Sequence, residues 1–143
     1  MRVSAILAHK GREVLVIGPD ATLGAAAEEL SEHGIGALVV SEGDGVIRGV
    51  VSERDIVRRL AGIGHDALTE PVHTVMTTDV VTCTPSDTTE HLMEVVTTRR
   101  IRHVPVVEDD RLAGLVSIGD IVAARVRDLE QEAHLLREYI GTR

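Results

Sequence analysis

At 143 residues the chain suits one compact domain, or two small repeats sharing a core, that buries roughly 70% of its unfolded surface. Fifteen Lys and Arg against 23 Asp and Glu leave a formal charge of −8, and Phe and Trp are absent. That charge has the wrong sign for a phosphate-backbone binder and there are no stacking platforms for bases, which argues against nucleic acid as a partner.

The amino end, Met1 to His9, is soon followed by Lys10, Arg12 and Glu13 and lacks a full signal-peptide core. No apolar run approaches the ~20 residues of a membrane span. The lone cysteine, Cys83, cannot form an intramolecular disulfide. The chain therefore reads as cytoplasmic, with no membrane partner. A first amphipathic piece, Val3 to Leu7, has a counterpart in Val72 to Met76. Val14 to Ile17 reads as a buried strand matched by Val80 to Cys83, with Pro19 and Pro85 after them.

Thr22 to His33 carries Leu23, Ala26, Ala27 and Leu30 at helical spacing, and Gly34 is a natural stop. Thr88 to Arg99 repeats it with Leu92, Val95 and Val96. Two apolar strands follow, Gly36 to Val40 and Arg102 to Val106. Each leads through an acidic turn into a return strand, Val46 to Val51 or Arg111 to Val116, which predicts two hairpins. Pro19 and Pro85 lie 66 residues apart but Gly49 and Gly114 lie 65, so the second turn is one residue shorter. An internal duplication explains the register, and two half-buried units are expected to pack about a pseudo-twofold axis.

Each return strand ends in one phrase, Gly49-Val50-Val51-Ser52-Glu53-Arg54-Asp55 or Gly114-Leu115-Val116-Ser117-Ile118-Gly119-Asp120. As a strand-to-helix junction, Ser-x-x-Asp is a capping box. Free N–H groups, a hydroxyl and a nearby carboxylate also suit a phosphate and a ribose. The two readings are compatible.

The duplicated order, the Gly-x-x-Ser-x-x-Asp phrase, the Arg102-His103-Val104-Pro105-Val106 strand and the Val-x-x-x-Met element together resemble a tandem CBS-domain pair, the Bateman module, over about residues 3 to 124. The resemblance implies an α/β fold of two βαββα repeats about a pseudo-twofold axis, set at 1–62 and 72–124; the residues themselves read as a linker at 63–71 and a helical tail at 125–143. It also implies adenosine-ligand sites between the repeats, for AMP, ADP, ATP, NAD or S-adenosylmethionine, used as regulatory signals. By position, Asp55 and Asp120 match the ribose-binding aspartate and Ser52 and Ser117 the phosphate-side hydroxyl. Adenine would lie against Ile35-Gly36-Ala37 or Ile101-Arg102-His103. Leu38 is taken to stand where Pro105 stands in the second unit.

Arg99, Arg100, Arg102 and His103 make a basic island in an acidic protein, so Ser117 and Asp120 with Arg102 form the preferred site. Arg54 and Lys10 are weaker candidates. Strand alternation predicts that Arg102 and His103 face opposite ways. The seven histidines show no zinc spacing, no phosphate loop or dinucleotide fingerprint is present, and no nucleophile pairs with a base. Metal binding and catalysis are not expected.

In the tail, Val122, Val126, Leu129, Ala133, Leu136 and Ile140 alternate by four and three, a heptad seam that would pack on its own module or assist a homodimer. The expected function is an adenine-nucleotide sensor acting on an effector protein or on its own dimer interface. The alternative is an interaction module without ligand that works through the tail helix. A small hydrolase or transferase in the cleft is a third reading.

Overall fold

The computed structural model describes residues 1–141. In chain order the elements are α1 (Val3–Lys10), β1 (Val16–Ile17), α2 (Leu23–His33), β2 (Ala37–Val40), β3 (Gly49–Ser52), α3 (Glu53–Ile63), 3-10 turns at Gly64–Thr69 and Val72–Thr74, α4 (Thr89–Arg99), β4 (His103–Glu108), β5 (Arg111–Ser117) and α5 (Ile118–Gly141). The stretch 63–71, expected as a linker, is mostly the first 3-10 turn. Thr142 and Arg143, the end of the expected tail, lie outside the described residues.

Both predicted amphipathic helices form, and capping explains where they start and stop. Thr22 and Thr88 accept from the N–H groups of Ala25 and His91, each at 3.1 Å. Gly34 ends α2 in the left-handed region at φ 60°, where a glycine has no Cβ penalty. The buried faces hold Leu23, Ala26 and Leu30 in α2, and Thr89, Leu92 and Val96 in α4.

Both hairpins also form: β2 pairs antiparallel with β3, and β4 with β5. Asp109 and Asp110, at φ 53° and 60°, make the two-residue turn of the second, consistent with its missing residue. The leading strands are much shorter than predicted. Only Val16 and Ile17 pair with β2, and of the two only Ile17 is buried. In the second half a single parallel bridge, Cys83 to Val106, takes that place. An edge segment bonded on one side leaves its outward residues in solvent, so the apolar run from Val14 overstated its burial. Ile17 bridging Val40 corresponds to Cys83 bridging Val106, so Val39, not Leu38, is the counterpart of Pro105.

The two repeats exchange their opening segments. Val3 N–H donates to Asp87 O and Thr89 N–H to Met1 O, each at 2.9 Å. Reciprocally, Val72 N–H donates to Ala21 O at 2.7 Å and Leu23 N–H to Glu70 O at 2.9 Å. One core consequently joins Val3, Ile6 and Leu7 of α1 to Cys83, Leu92, Val96, Val104, Val106, Val116, Ile121 and Ala124. The other joins Val72, Val75 and Met76 to Ile17, Leu23, Ala26, Leu30, Leu38, Val40, Val51 and Ile56. Full burial of such aliphatic side chains stabilises by about 1.5–3 kcal/mol each, so neither half completes its core alone.

This exchange accounts for the glycine that opens each doubled phrase. A Cβ on Gly49 would lie 2.7 Å from Met76 Sδ, and one on Gly114 2.6 Å from Leu7 Cδ2. The exchanged segment of the other repeat presses directly on that backbone.

Candidate functional site

The doubled phrase folds as a capping box in both copies. Ser52 N–H donates to Asp55 Oδ2 at 2.9 Å while Asp55 N–H donates to Ser52 Oγ at 3.3 Å. Ser117 N–H donates to Asp120 Oδ2 at 2.9 Å and Asp120 N–H to Ser117 Oγ at 3.2 Å. Each helix is also anchored to the strand expected to carry adenine: Glu53 N–H donates to Gly36 O at 3.0 Å and Ile118 N–H to Arg102 O at 2.8 Å. The cap uses Oδ2 of Asp55 and leaves Oδ1 to other partners.

The surroundings of the two copies differ. Next to Asp55 lies a cleft of about 260 Å³ lined from both repeats. Gly36, Val50, Ser52, Glu53, Arg54, Asp55 and Arg58 come from the first repeat, and Thr77, Asp79, Val80, Val81, Arg100, Ile101, Arg102 and His103 from the second. Four arginines therefore face three carboxylates, a locally positive place in an acidic chain. Low-dielectric walls focus that field toward an anion.

At the second copy a lysine from α1 is already engaged. Lys10 Nζ donates to Asp120 Oδ2 at 2.7 Å and to Leu115 O at 2.9 Å. Burial alone would raise the Asp120 pKa, but hydrogen bonds from Lys10 and Ser117 more than offset it and hold the carboxyl below its ordinary value.

Of the candidates from sequence, Ser52, Arg54, Asp55, Gly36, Ile101, Arg102 and His103 meet in the cleft at Asp55. Ser117, Asp120, Lys10 and Ala37 do not line it, and Ala37 is buried in β2. Arg102 and His103 share this cleft although strand alternation predicts opposite faces. The strand begins only at His103, so alternation does not govern Arg102.

The His103 ring reaches across to the first repeat, where a Cβ on Gly36 would lie 3.1 Å from its Nε2. Burial pushes the imidazole pKa down; Lys10 and Arg102 add to the shift, while Glu53 and Asp120 oppose it. A neutral ring held among arginines is ready to accept a proton when an anion arrives.

Sequence reasoning did not place Arg58, Thr77, Asp79, Val80 or Val81 in the site. Arg58 stands one helical turn after Asp55, a spacing that could have found it. Residues 77 to 81 come from the other repeat through the exchange, which no local pattern announces. Burial also pushes the Cys83 thiol up to about 12, so it is protonated and unreactive at neutral pH.

The CBS domain family model matches residues 4–62 and 72–127, one copy for each repeat. The chain belongs to the CBS domain family. A CBS-domain-containing protein from Agrobacterium tumefaciens has the same fold, with a TM-score of 0.85 and 49% identity over 87% of this chain and 99% of that one. CBS domain-containing protein CBSX3, mitochondrial, from Arabidopsis thaliana is 32% identical, over 96% of this chain and 71% of its own length. The CBS domain pair of protein MJ0100, solved in complex with 5′-methylthioadenosine and S-adenosyl-L-methionine, aligns at a TM-score of 0.77 and 25% identity. That alignment spans 87% of this chain and 98% of the other. Among the described residues no helix is long and apolar enough to cross a membrane, and no group of three or more His, Cys, Asp or Glu gathers as a metal site would.

Proposed function

We propose that this CBS-domain pair is a regulatory binding module that takes an adenine nucleotide in the cleft at Asp55. The observation that carries this reading is the meeting of a helix N-terminus, a capped aspartate and four arginines in one cleft walled by both repeats. Asp55 Oδ1 would accept from ribose hydroxyls, the α3 terminus would face a phosphate, and the apolar Val80, Val81 and Ile101 would flank the base. Its volume lies just below the ~300 Å³ lower end of ordinary ligand pockets, enough for part of a nucleotide with the rest reaching solvent. The bound adenosine compounds of the MJ0100 pair support the same ligand class.

Arg54, Arg58, Arg100 and Arg102 favour a chain of phosphates, so ADP, ATP and NAD rank above AMP. A ligand touching both repeats couples occupancy to their relative arrangement, which an effector protein would read. The one hydroxyl bonded to a carboxylate in the cleft lining, Ser52 to Asp55, is held in the capping box by the Asp55 N–H as well, which favours sensing over catalysis. A thermal-shift panel of AMP, ADP, ATP, NAD, NADH and S-adenosylmethionine tests the reading. At 100 times its Kd a ligand adds about 2.7 kcal/mol, a rise of about 5–10 °C at this size. No shift with any of them would contradict it.

A second element of function is carried by α5. Its seam is solvent-exposed from Val126 (48%) through Leu129 (53%) and Leu136 (63%) to Ile140 (68%). A second copy of the helix covers it in a homodimer. Parallel, in-register pairing would set Glu132 of one chain opposite Arg137 of the other, whereas antiparallel pairing centred on the seam would bring the two Glu132 side chains together. Without nucleotide binding, this seam is the basis of the interaction-module alternative. Sedimentation of the wild type and of Leu129→Glu/Leu136→Glu tests the pairing; a monomeric wild type would exclude it.

A further inference from the structure

The exchanged segments bring unlike charges to the two junctions. Val3 corresponds to Val72 by its hydrogen bond, and Leu7 to Met76 by its contact with the glycine of the phrase. Beyond these points the segments differ: α1 stays helical to Lys10, whereas the 3-10 turn of the second repeat ends at Thr74 and the chain runs on past Thr77 to Asp79. Asp79 lines the cleft that holds Asp55, so two like charges flank that opening. Lys10 is instead drawn to Asp120, and its ammonium bridges α5 to the Leu115 carbonyl of β5.

We propose that Lys10 is an internal latch that fills the second nucleotide position, so that each chain takes one nucleotide, at Asp55. The inference rests on the nucleotide reading above. A ligand entering at Asp120 would meet an ammonium already held on Oδ2 and on the Leu115 carbonyl, and a ribose reaching for Oδ1 would have to displace it from the space beside the carboxylate. At Asp55 the side-chain carboxylate is bonded by the N–H and hydroxyl of its own cap residue, Ser52, at 2.9 and 3.0 Å, so its hold lies within its own junction while Arg100 and Arg102 line the cleft around it. A cation held at one junction and a carboxylate at the other thus decide which of two similar junctions is open. Lys10 ends α1 and is exposed, so it can be replaced without disturbing either core.

Calorimetric titration with ATP tests the latch on four chains. The wild type should take one equivalent per chain. Lys10→Met, and Lys10→Asp, which puts a carboxylate beside Asp120 in place of the ammonium, should take two. Asp79→Lys sets an ammonium beside Asp55 and should weaken the wild-type site by at least ~10-fold, the loss expected when an ammonium competes with ribose for the carboxylate and equal to about 1.4 kcal/mol. Two equivalents in the wild type, or one in both Lys10 variants, would overturn the proposal while leaving nucleotide binding intact. No heat from the wild type or from any variant would reject nucleotide binding itself, and the latch with it. Circular dichroism and thermal midpoints of each chain separate a lost site from a lost fold.

Discussion

His103 and Gly36 face each other across the boundary between the repeats: a Cβ at residue 36 would stand 3.1 Å from the imidazole Nε2 and 3.6 Å from Glu53 Oε1. The missing side chain is what lets the ring of one repeat lie over the strand of the other. Gly36→Ala should push the ring back by a few tenths of an ångström and lower nucleotide affinity several-fold, and Gly36→Val more. Calorimetry with ATP measures this, with thermal midpoints as the check on folding. Unchanged affinity in both variants would show that His103 does not meet the ligand.

The glycines of the doubled phrase should differ in their tolerance of a methyl group. At Gly49 an added Cβ would lie 2.8 Å from the backbone carbonyl of Thr77, which cannot swing aside, as well as near Met76. At Gly114 it meets only the end of the Leu7 side chain, a flexible group. Gly49→Ala should therefore cost about 1–3 kcal/mol of overpacking strain and Gly114→Ala less. Urea unfolding of the two variants orders them, and equal losses would contradict the contact geometry.

Arg100 ends α4 at φ 54°, the place Gly34 takes at φ 60° after α2. An arginine in the left-handed region costs about 1–2 kcal/mol that a glycine avoids, partly offset by glycine's greater freedom when unfolded. Its place in the cleft lining motivates a role in binding. Arg100→Gly should be as stable as the wild type or up to about 1 kcal/mol more stable, yet bind ATP more weakly. Denaturation and titration on the same sample check both parts; equal affinity would leave the strain without that explanation.

Two pKa shifts at the junctions contribute to the pH response. The His103 value is lowered in the folded chain, so below the unfolded value near 6.5 the unfolded state binds more protons and stability falls with pH. Bound phosphate would favour the protonated ring, so nucleotide binding should take up a proton and tighten from pH 8 to pH 6. Heats of binding in buffers of different ionisation enthalpy detect that proton. The lowered Asp120 value contributes stability above its unfolded pKa, and this is lost as pH falls through the lower folded value. Lys10→Met should reduce that acid-side loss; an unchanged acid transition would rule out the ion pair as its source.

The periodicity of Leu23, Ala26 and Leu30, the two hairpins and the duplicated Ser-x-x-Asp phrase made the repeat architecture legible, because each is a local pattern with a local cause. The residues expected near the ligand on the first phrase and on the 101–103 stretch do converge. Their pairing was not legible: the basic island of the second repeat opens onto Asp55 of the first, and Lys10 reaches Asp120 from the far end of the chain. Both result from the exchange of opening segments. The duplication implied mutual burial, but a seam of apolar residues does not state which copy it covers. The overestimated leading strands have the opposite cause, a local pattern of β-branched residues that the sheet edge does not use.

Equilibrium dialysis of radiolabelled ATP against the wild type and Asp55→Ala tests the assignment of the cleft most directly. The lost cap should cost at most about 1–2 kcal/mol of stability, so the variant remains folded at 25 °C. Saturable binding by the wild type, weakened at least ~10-fold by Asp55→Ala, is the predicted result. Binding that Asp55→Ala leaves unchanged, or a wild type that retains no ATP, would contradict it.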